Sequence, residues 1–365
     1  MKLTVSGRPY AVATKRATRG RDPDSALFFE DMSRNVPTGP RSFFRVANEL
    51  QTTFNIHYVD HRNIVYFSSG LLPRRARGVD PSLPTLGTGR WDWRGFISQN
   101  EHPHAANPRS GRILNWNNKP APGWAAADST WSYGSVHRVE LFTGFPRRSR
   151  LEDVASVMNR AATQDLRARI NWPLIRQVLR RTRAPNALAA GAAAQVDAWV
   201  RSGADRLDRN LDGKIDAPGA AVMDAAYDGL ALAVLRPVLG RLTKELEDIQ
   251  GISNDANPGG SSYGGGWYGY VDKDLRTQLG YRVRGRYSRR YCGNGNLRAC
   301  SRSLWAALSA AAAKLAAAQG PNPSAWRADA TGERIKFAPG LIPGTTMRWT
   351  NRPTFQQAIE FSGHR

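Results

Sequence analysis

Ile113-Leu114-Asn115-Trp116-Asn117-Asn118-Lys119-Pro120 places three asparagines and a tryptophan in eight residues and closes them with a proline. An Asn side chain offers two N–H donors and carries no charge. Held rigidly, such a donor stabilises an oxyanion without taking up the proton that the reaction must move. The same residues also suit a plain turn with Asx hydrogen bonds. Residue chemistry alone leaves both readings open.

Outward from this stretch, residues 70–122 are rich in Gly, Pro, Trp and Asn and read as long ordered loops. Before them, residues 54–59 and 64–67 are strand-like runs joined by the turn-like Asp60-His61-Arg62-Asn63. Apolar residues at 43, 44, 46, 47 and 50 predict a helix over 38–50, and residues 3–6 and 10–14 flank Gly7-Arg8-Pro9 as a hairpin. The middle of the chain is helical. Ser149-Arg150-Leu151-Glu152 fits a capping box, and helices are expected near 186–201, 220–233 and 237–250, the last two separated by Pro237. A Gly-rich stretch with interleaved aromatics, residues 259–270, reads as a packed loop. An Ala-rich helix over 303–319 ends at Gly320-Pro321, and residues 354–361 form a last strand candidate. These shifts in character divide the chain into 1–148, 149–255 and 256–365.

The net charge is +22, and 44 of the 52 basic residues are Arg. They are scattered along the chain, which describes a solvated basic surface. No motif accompanies them that would mark a nucleic-acid reader, so no nucleic-acid partner is expected. RVRGRYSRR, residues 282–290, reads as a solvated strand. No run of about 18 apolar residues exists, so no membrane span is expected. His102-Pro103-His104 lacks the further ligands of a metal site, and no Ser-His-Asp arrangement stands out. Cys292 and Cys300, spaced C-x7-C around Gly and Asn, are expected to form a disulfide, which implies an oxidising compartment.

Three blocks, TFNIHYVD with NIVYFSSG (53–60 and 63–70), GVDPSLPTLGTGRWDWRGFIS (78–98) and NPRSGRILNWNNKP (107–120), resemble in order and spacing the β-subunit of the penicillin acylase family. The helix over 149–169, with Asp165, and NRPTFQQAIEF (351–361) are similar to later parts of that subunit. The resemblance implies an α+β fold: part of an N-terminal-nucleophile (Ntn) hydrolase αββα sandwich with an inserted, mainly helical region. It also implies hydrolysis of a small-molecule linear amide by acyl transfer to a Ser whose own α-amine is the base. An α-amine titrates near about 7.7–8.0 and accepts a proton at neutral pH. In this reading Asn117, the second Asn of NWNN, donates to the oxyanion, and Arg138, in Gly134-Ser135-Val136-His137-Arg138, orients the site. The family's calcium ligands would be the carbonyl of Pro81 and the carboxylate of Asp128. The nucleophile, the α-subunit and the N-terminal part of the β-subunit are expected to lie outside this chain, which alone would be inactive. The full-length protein is expected to be extracellular or periplasmic. The alternative is a non-catalytic, basic, secreted binding protein on the same scaffold.

A separate motif, Asp208-x-Asn210-x-Asp212-Gly213-Lys214-x-Asp216, has the spacing of a calcium loop, with the Lys214 carbonyl as a further ligand. Gly219 stands where such loops carry their twelfth-position Glu. An Asx-rich turn before a helix is the competing reading.

Overall fold

The computed structural model describes residues 2–80, 83–122, 124, 137–142, 144–146, 149–245, 268–283, 286–331, 334–335, 347–348 and 357–361. The chain divides into two compact units, Met1–Val139 with Ile359–Arg365, and Glu140–Ala358.

In the first unit, strands β1 (Lys2–Val5) and β2 (Arg8–Ala11) form a hairpin. Its turn lies at Ser6-Gly7, where both residues have positive φ, rather than over Gly7-Arg8-Pro9. Helices α1 (Ser25–Ser33) and α2 (Pro40–Ala47) follow. Strands β3 (Asn55–Val59), β4 (Ile64–Ser68) and β5 (His104–Ala106) make an antiparallel sheet in that order. The turn between β3 and β4 is closed by Asp60, whose Oδ1 accepts from the backbone N–H groups of Arg62 and Asn63, each at 2.7 Å. Alternation along β4 and the apolar stripe of α2 bring Phe43, Ala47, Val65 and Phe67 into one buried cluster. Val46 faces the other way and packs with Phe28 and Leu50.

His102 belongs to this core. It is 4 % exposed, stacks on Phe67 at 5.1 Å, and its Nδ1 lies 2.8 Å from the Ser68 carbonyl, to which Nδ1–H donates. Burial holds its pKa below the ordinary value of 6.5, while the Ser68 carbonyl and Glu101 act weakly the other way. A His whose folded pKa is depressed favours folding fully above its unfolded pKa and loses that contribution as pH falls below it. We therefore expect urea melts of the first unit to show falling stability below about pH 6.5, by no more than about 1.4 kcal/mol per pH unit for this proton. His102→Gln should flatten that slope; an unchanged slope would contradict the assignment.

Helix α3 (His137–Glu140) ends the first unit's main stretch of chain, and the second unit is mainly helical: α4 (Leu151–Thr163), α5 (Trp172–Leu179), α6 (Ala187–Arg201), α7 (Pro218–Leu239), α8 (Tyr268–Gln278) and α9 (Leu297–Gln319). Strands β6 (Arg334–Ile335) and β7 (Met347–Arg348) pair antiparallel. Helices α6 and α9 both pack on α7. The close approach of α6 and α7 depends on Gly219, where a Cβ would lie 2.6 Å from the Trp199 Cβ and 2.7 Å from the Gln195 carbonyl oxygen. Pro237 does not divide α7. It sits in the last turn, and the helix ends at Gly240, whose φ is positive. The cap of α4 also differs by one residue from the sequence expectation. Arg150 N–H donates to Asp153 at 2.8 Å, and the Ser149 hydroxyl turns back to the Pro146 carbonyl. The helix expected over 149–169 is interrupted at Gln164, which is extended and bridges Asp205. Residues 357–361 form no strand, and 354–356 lie outside the described residues.

Cys292 and Cys300 are bonded and fully buried. In the chain-entropy account a short closed loop of this kind contributes roughly 2–3 kcal/mol. Its geometry requires glycine at 293, where a Cβ would lie 2.5 Å from the Cys300 nitrogen. Asp274 on α8 anchors the loop: its Oδ1 accepts from the Tyr291 N–H at 2.8 Å and its Oδ2 from the Cys292 N–H at 3.0 Å.

Four charges hold the helical unit together. Arg167 donates to Asp165 and, at 2.6 Å, to Asp224. Arg206 meets Asp224 with two parallel bonds of 2.9 Å and approaches Asp165 at 3.5 Å. Asp165, Arg167 and Arg206 are each 5 % exposed or less. Burial opposes the Arg167 charge, but Asp165 and Asp224 outweigh it and raise the pKa; the Asp224 side chain stays 34 % exposed, and the partial burial that opposes its charge is outweighed by Arg206 and Arg167, which lower the pKa. The quartet joins the segment after α4, the segment after α6, and α7. Removing one member leaves a buried charge uncompensated. Asp165→Ala should therefore cost about 3–5 kcal/mol in chemical denaturation, whereas Arg209→Ala, at the largely exposed Arg209–Asp216 pair, should cost about 1 kcal/mol or less. Equal losses would contradict this ranking.

Candidate functional site

The loop 113–120 builds a presented amide from its own side chains. Asn115 Oδ1 accepts from the Asn117 backbone N–H at 2.9 Å, and Asn118 Oδ1 accepts from the Trp116 backbone N–H at 2.9 Å. Asn118 Nδ2 donates onward to the Lys119 carbonyl at 3.3 Å. One Asx turn from Asn115 and one backward bond to Asn118 thus fix the backbone at 116 and 117. Asn117 adopts φ +54°, a left-handed conformation that Asn tolerates better than most residues. Its side chain is exposed and bonds to no other described residue, while Asn115 and Asn118 are half-buried. The turn reading of this stretch is what these bonds show: Asn115 and Asn118 commit their side-chain oxygens to the turn, and the exposed Asn117 side chain has no bond among the described residues.

Arg138 lies in α3, and the placement of its side chain falls outside the described residues, as do Pro81 and Asp128.

The 208–216 loop is fully described. Asp208 is 3 % exposed, and its two oxygens accept from the Asp212 and Gly213 backbone N–H groups at 3.1 and 3.0 Å. Asn210 Nδ2 donates to Asp212 Oδ2, and the Lys214 N–H donates to Asp212 Oδ1 at 2.8 Å. The Asn210 side chain, then the Lys214 N–H, lower the Asp212 pKa. Asp216 pairs with Arg209 at 2.8 Å. Beyond Gly213, Ile215 N–H donates to the Ala328 carbonyl and Ala330 N–H to the Gly213 carbonyl, a short ladder that docks the loop on the 328–330 segment. The carboxylate oxygens of Asp208, Asp212 and Asp216 accept from the loop's own donors and from Arg209. Among the described residues no three His, Cys, Asp or Glu side chains gather as a metal would require. Position 219 carries glycine because the α6 backbone passes there. As arranged, these side chains make an Asx-rich turn. Asp208→Ala should accordingly destabilise the protein by about 1–3 kcal/mol through two unsatisfied N–H groups. The loss should be the same with calcium or with a chelator; a calcium-dependent melting shift abolished by Asp212→Ala would show that the loop rearranges around the ion.

Sequence reasoning singled out Asp165 but missed its partners Arg167 and Arg206 and the Asp224 that both arginines share. The partners lie 41 and 57 residues apart in the hydrogen bonds that join them to Asp165 and Arg167, and no local spacing marks such a pairing.

Comparison with known proteins gives these features a context. A family model described as penicillin amidase matches residues 8–356. The chain belongs to the penicillin amidase family. It is similar to penicillin G acylase from Escherichia coli, 32% identical over 170 residues, which is 45% of this chain and 20% of that relative. It is also similar to the acyl-homoserine lactone acylase QuiP of Pseudomonas syringae pv. syringae, 28% identical over 151 residues, 41% of this chain and 16% of that protein. These matches span a fifth or less of the relatives' length. The structure of a thermostable penicillin G acylase from Alcaligenes faecalis aligns over 96% of this chain and 67% of its own, with a TM-score of 0.68 at 20% identity. That likeness shows a fold shared with this acylase, and the mixed helices and sheets agree with the α+β class; among the described residues the sheets have two or three strands. No described helix is long and apolar enough to cross a membrane.

Proposed function

We propose that this chain forms the later part of an amidohydrolase that cleaves a linear amide by acyl transfer, with Asn117 as the side-chain donor of the oxyanion hole. The observation that carries this reading is the free, exposed amide of Asn117 on a backbone fixed from both sides by Asn115 and Asn118. A donor held in advance needs no reorganisation when negative charge develops on the carbonyl oxygen. The nucleophile in this proposal is an N-terminal Ser supplied by residues beyond these 365, with its α-amine as base. That Ser attacks the amide carbonyl, the amine departs with a proton, and water releases the acid. Arg138 is proposed to orient the site. The acyl groups named among the relatives, those of penicillin G and acyl-homoserine lactones, suggest aromatic or fatty acyl substrates. The Cys292–Cys300 bond supports export to an oxidising compartment.

The test is kinetic. In the full-length enzyme, Asn117→Ala should lower kcat about 10²–10³-fold with little change in KM. Asn115 is a positioning residue, so Asn115→Ala should lower kcat less, and Asn115→Asp, which keeps the Oδ acceptor, should recover most of the loss. Near-full kcat in Asn117→Ala would overturn the assignment.

A further inference from the structure

A cleft of about 800 Å³ in the first unit lies apart from the Asn loop and is lined by Lys15, Arg16, Arg19, Arg21, Trp93 and Phe96 among others. Its two walls are built rather than incidental. On one side, Arg19 N–H donates to the Arg16 carbonyl, Arg21 N–H to the Thr18 carbonyl at 2.8 Å, and Asp24 N–H to the Arg21 carbonyl, a succession of turns that leads into α1. On the other, Arg74 N–H donates to the Gly95 carbonyl and Arg94 N–H to the Arg74 carbonyl, each at 2.9 Å, while Phe96 bridges Pro73. The Lys15 ammonium sits 4.8 Å from the Trp93 ring centroid, with the Arg75 guanidinium at 6.0 Å from the same ring. The ring face attracts these cations and orders them without neutralising them. Arg16 pairs with Asp22. Lys15, Arg19 and Arg21 have no acidic partner among the described residues. Phe96 remains 38 % exposed and offers an apolar surface beside these cations.

We propose that this cleft binds a small organic anion, a carboxylate attached to an aromatic or apolar body. The carboxylate would accept charge-assisted hydrogen bonds from Lys15, Arg19 and Arg21, and the apolar body would cover Phe96 and the edge of Trp93. A bare inorganic anion would leave the apolar wall wet, and a neutral aromatic would leave the cations unpaired. The cleft therefore selects for both properties in one molecule. This assignment stands independently of the amidase reading, since it draws on none of the residues used there.

The experiment is calorimetric titration of the full chain with 2-naphthoate at low salt. Saturable binding with one site is expected, weakening as salt is raised. Acetate and the neutral 2-naphthamide should each bind at least tenfold more weakly. The exposed double substitution Arg19→Glu/Arg21→Glu should weaken 2-naphthoate at least tenfold, and Trp93→Leu or Phe96→Ala should each weaken it severalfold. Circular dichroism reports whether the variants are folded, and Phe96→Ala replaces Trp93→Leu if the latter is not. Absence of saturable binding, equal binding of 2-naphthamide, or binding that survives both the charge reversal and Phe96→Ala would overturn the proposal. So would binding lost on Asn117→Ala and retained on charge reversal.

Discussion

The buried Arg167, Arg206 and Asp165 and the partly exposed Asp224 neutralise one another in the helical unit, and its packing depends on their doing so. A buried charge costs several kcal/mol unless it is paired and hydrogen-bonded. Here each guanidinium reaches both carboxylates. The three segments that carry these residues are therefore held in one register, because displacing any of them strands a charge. Arg167 also lies 5.6 Å from the Tyr227 ring centroid, and the Tyr227 hydroxyl donates to the buried Asn171 at 2.8 Å. The constraint passes in this way from the charged quartet into the packing of α7 against residues 167–171. In a chain of net charge +22, the quartet matches two arginines with two acids.

The Asn loop obeys a related rule with neutral groups. Backbone N–H donors at 116 and 117 need acceptors, and Asn118 and Asn115 supply them from within the loop. Rigidity comes from side chains two residues away rather than from a large core. One amide, that of Asn117, is left over. The 208–216 loop uses the same chemistry to a different end. Its carboxylates satisfy its own N–H groups and Arg209, so oxygens spaced as in a calcium loop make a turn. Gly219 shows why the twelfth position cannot carry Glu: the backbone of α6 occupies the space.

Much of this was legible in the residues. Strands β3 and β4, helix α2, the C-x7-C disulfide and the α6 span follow from local periodicity, turn chemistry and spacing. The NWNN stretch carried the family resemblance, which the family match over residues 8–356 supports. The features that were not legible depend on distant partners or on one-residue choices. Glu152 and Asp153 are equally good acids for a helix start, and only the backbone path decides that Asp153 closes the cap. Pro237 reads as a breaker in isolation, yet α7 runs two residues past it to Leu239 before Gly240 ends the helix. Gln164 interrupts a periodic helical pattern because its backbone bridges Asp205, on a segment 41 residues later in the chain. No window of neighbouring residues contains that information.

The central claim concerns one hydrogen bond, from Asn117 Nδ2 to the oxygen that becomes negatively charged during amide cleavage. A crystal structure of the full-length enzyme acylated by a phosphonate analogue of the tetrahedral intermediate would observe it directly. The account predicts Asn117 Nδ2 within about 2.7–3.1 Å of the phosphonyl oxygen, with the Asn115 and Asn118 bonds unchanged. A phosphonyl oxygen held by other donors, with the Asn117 amide turned to solvent, would contradict it.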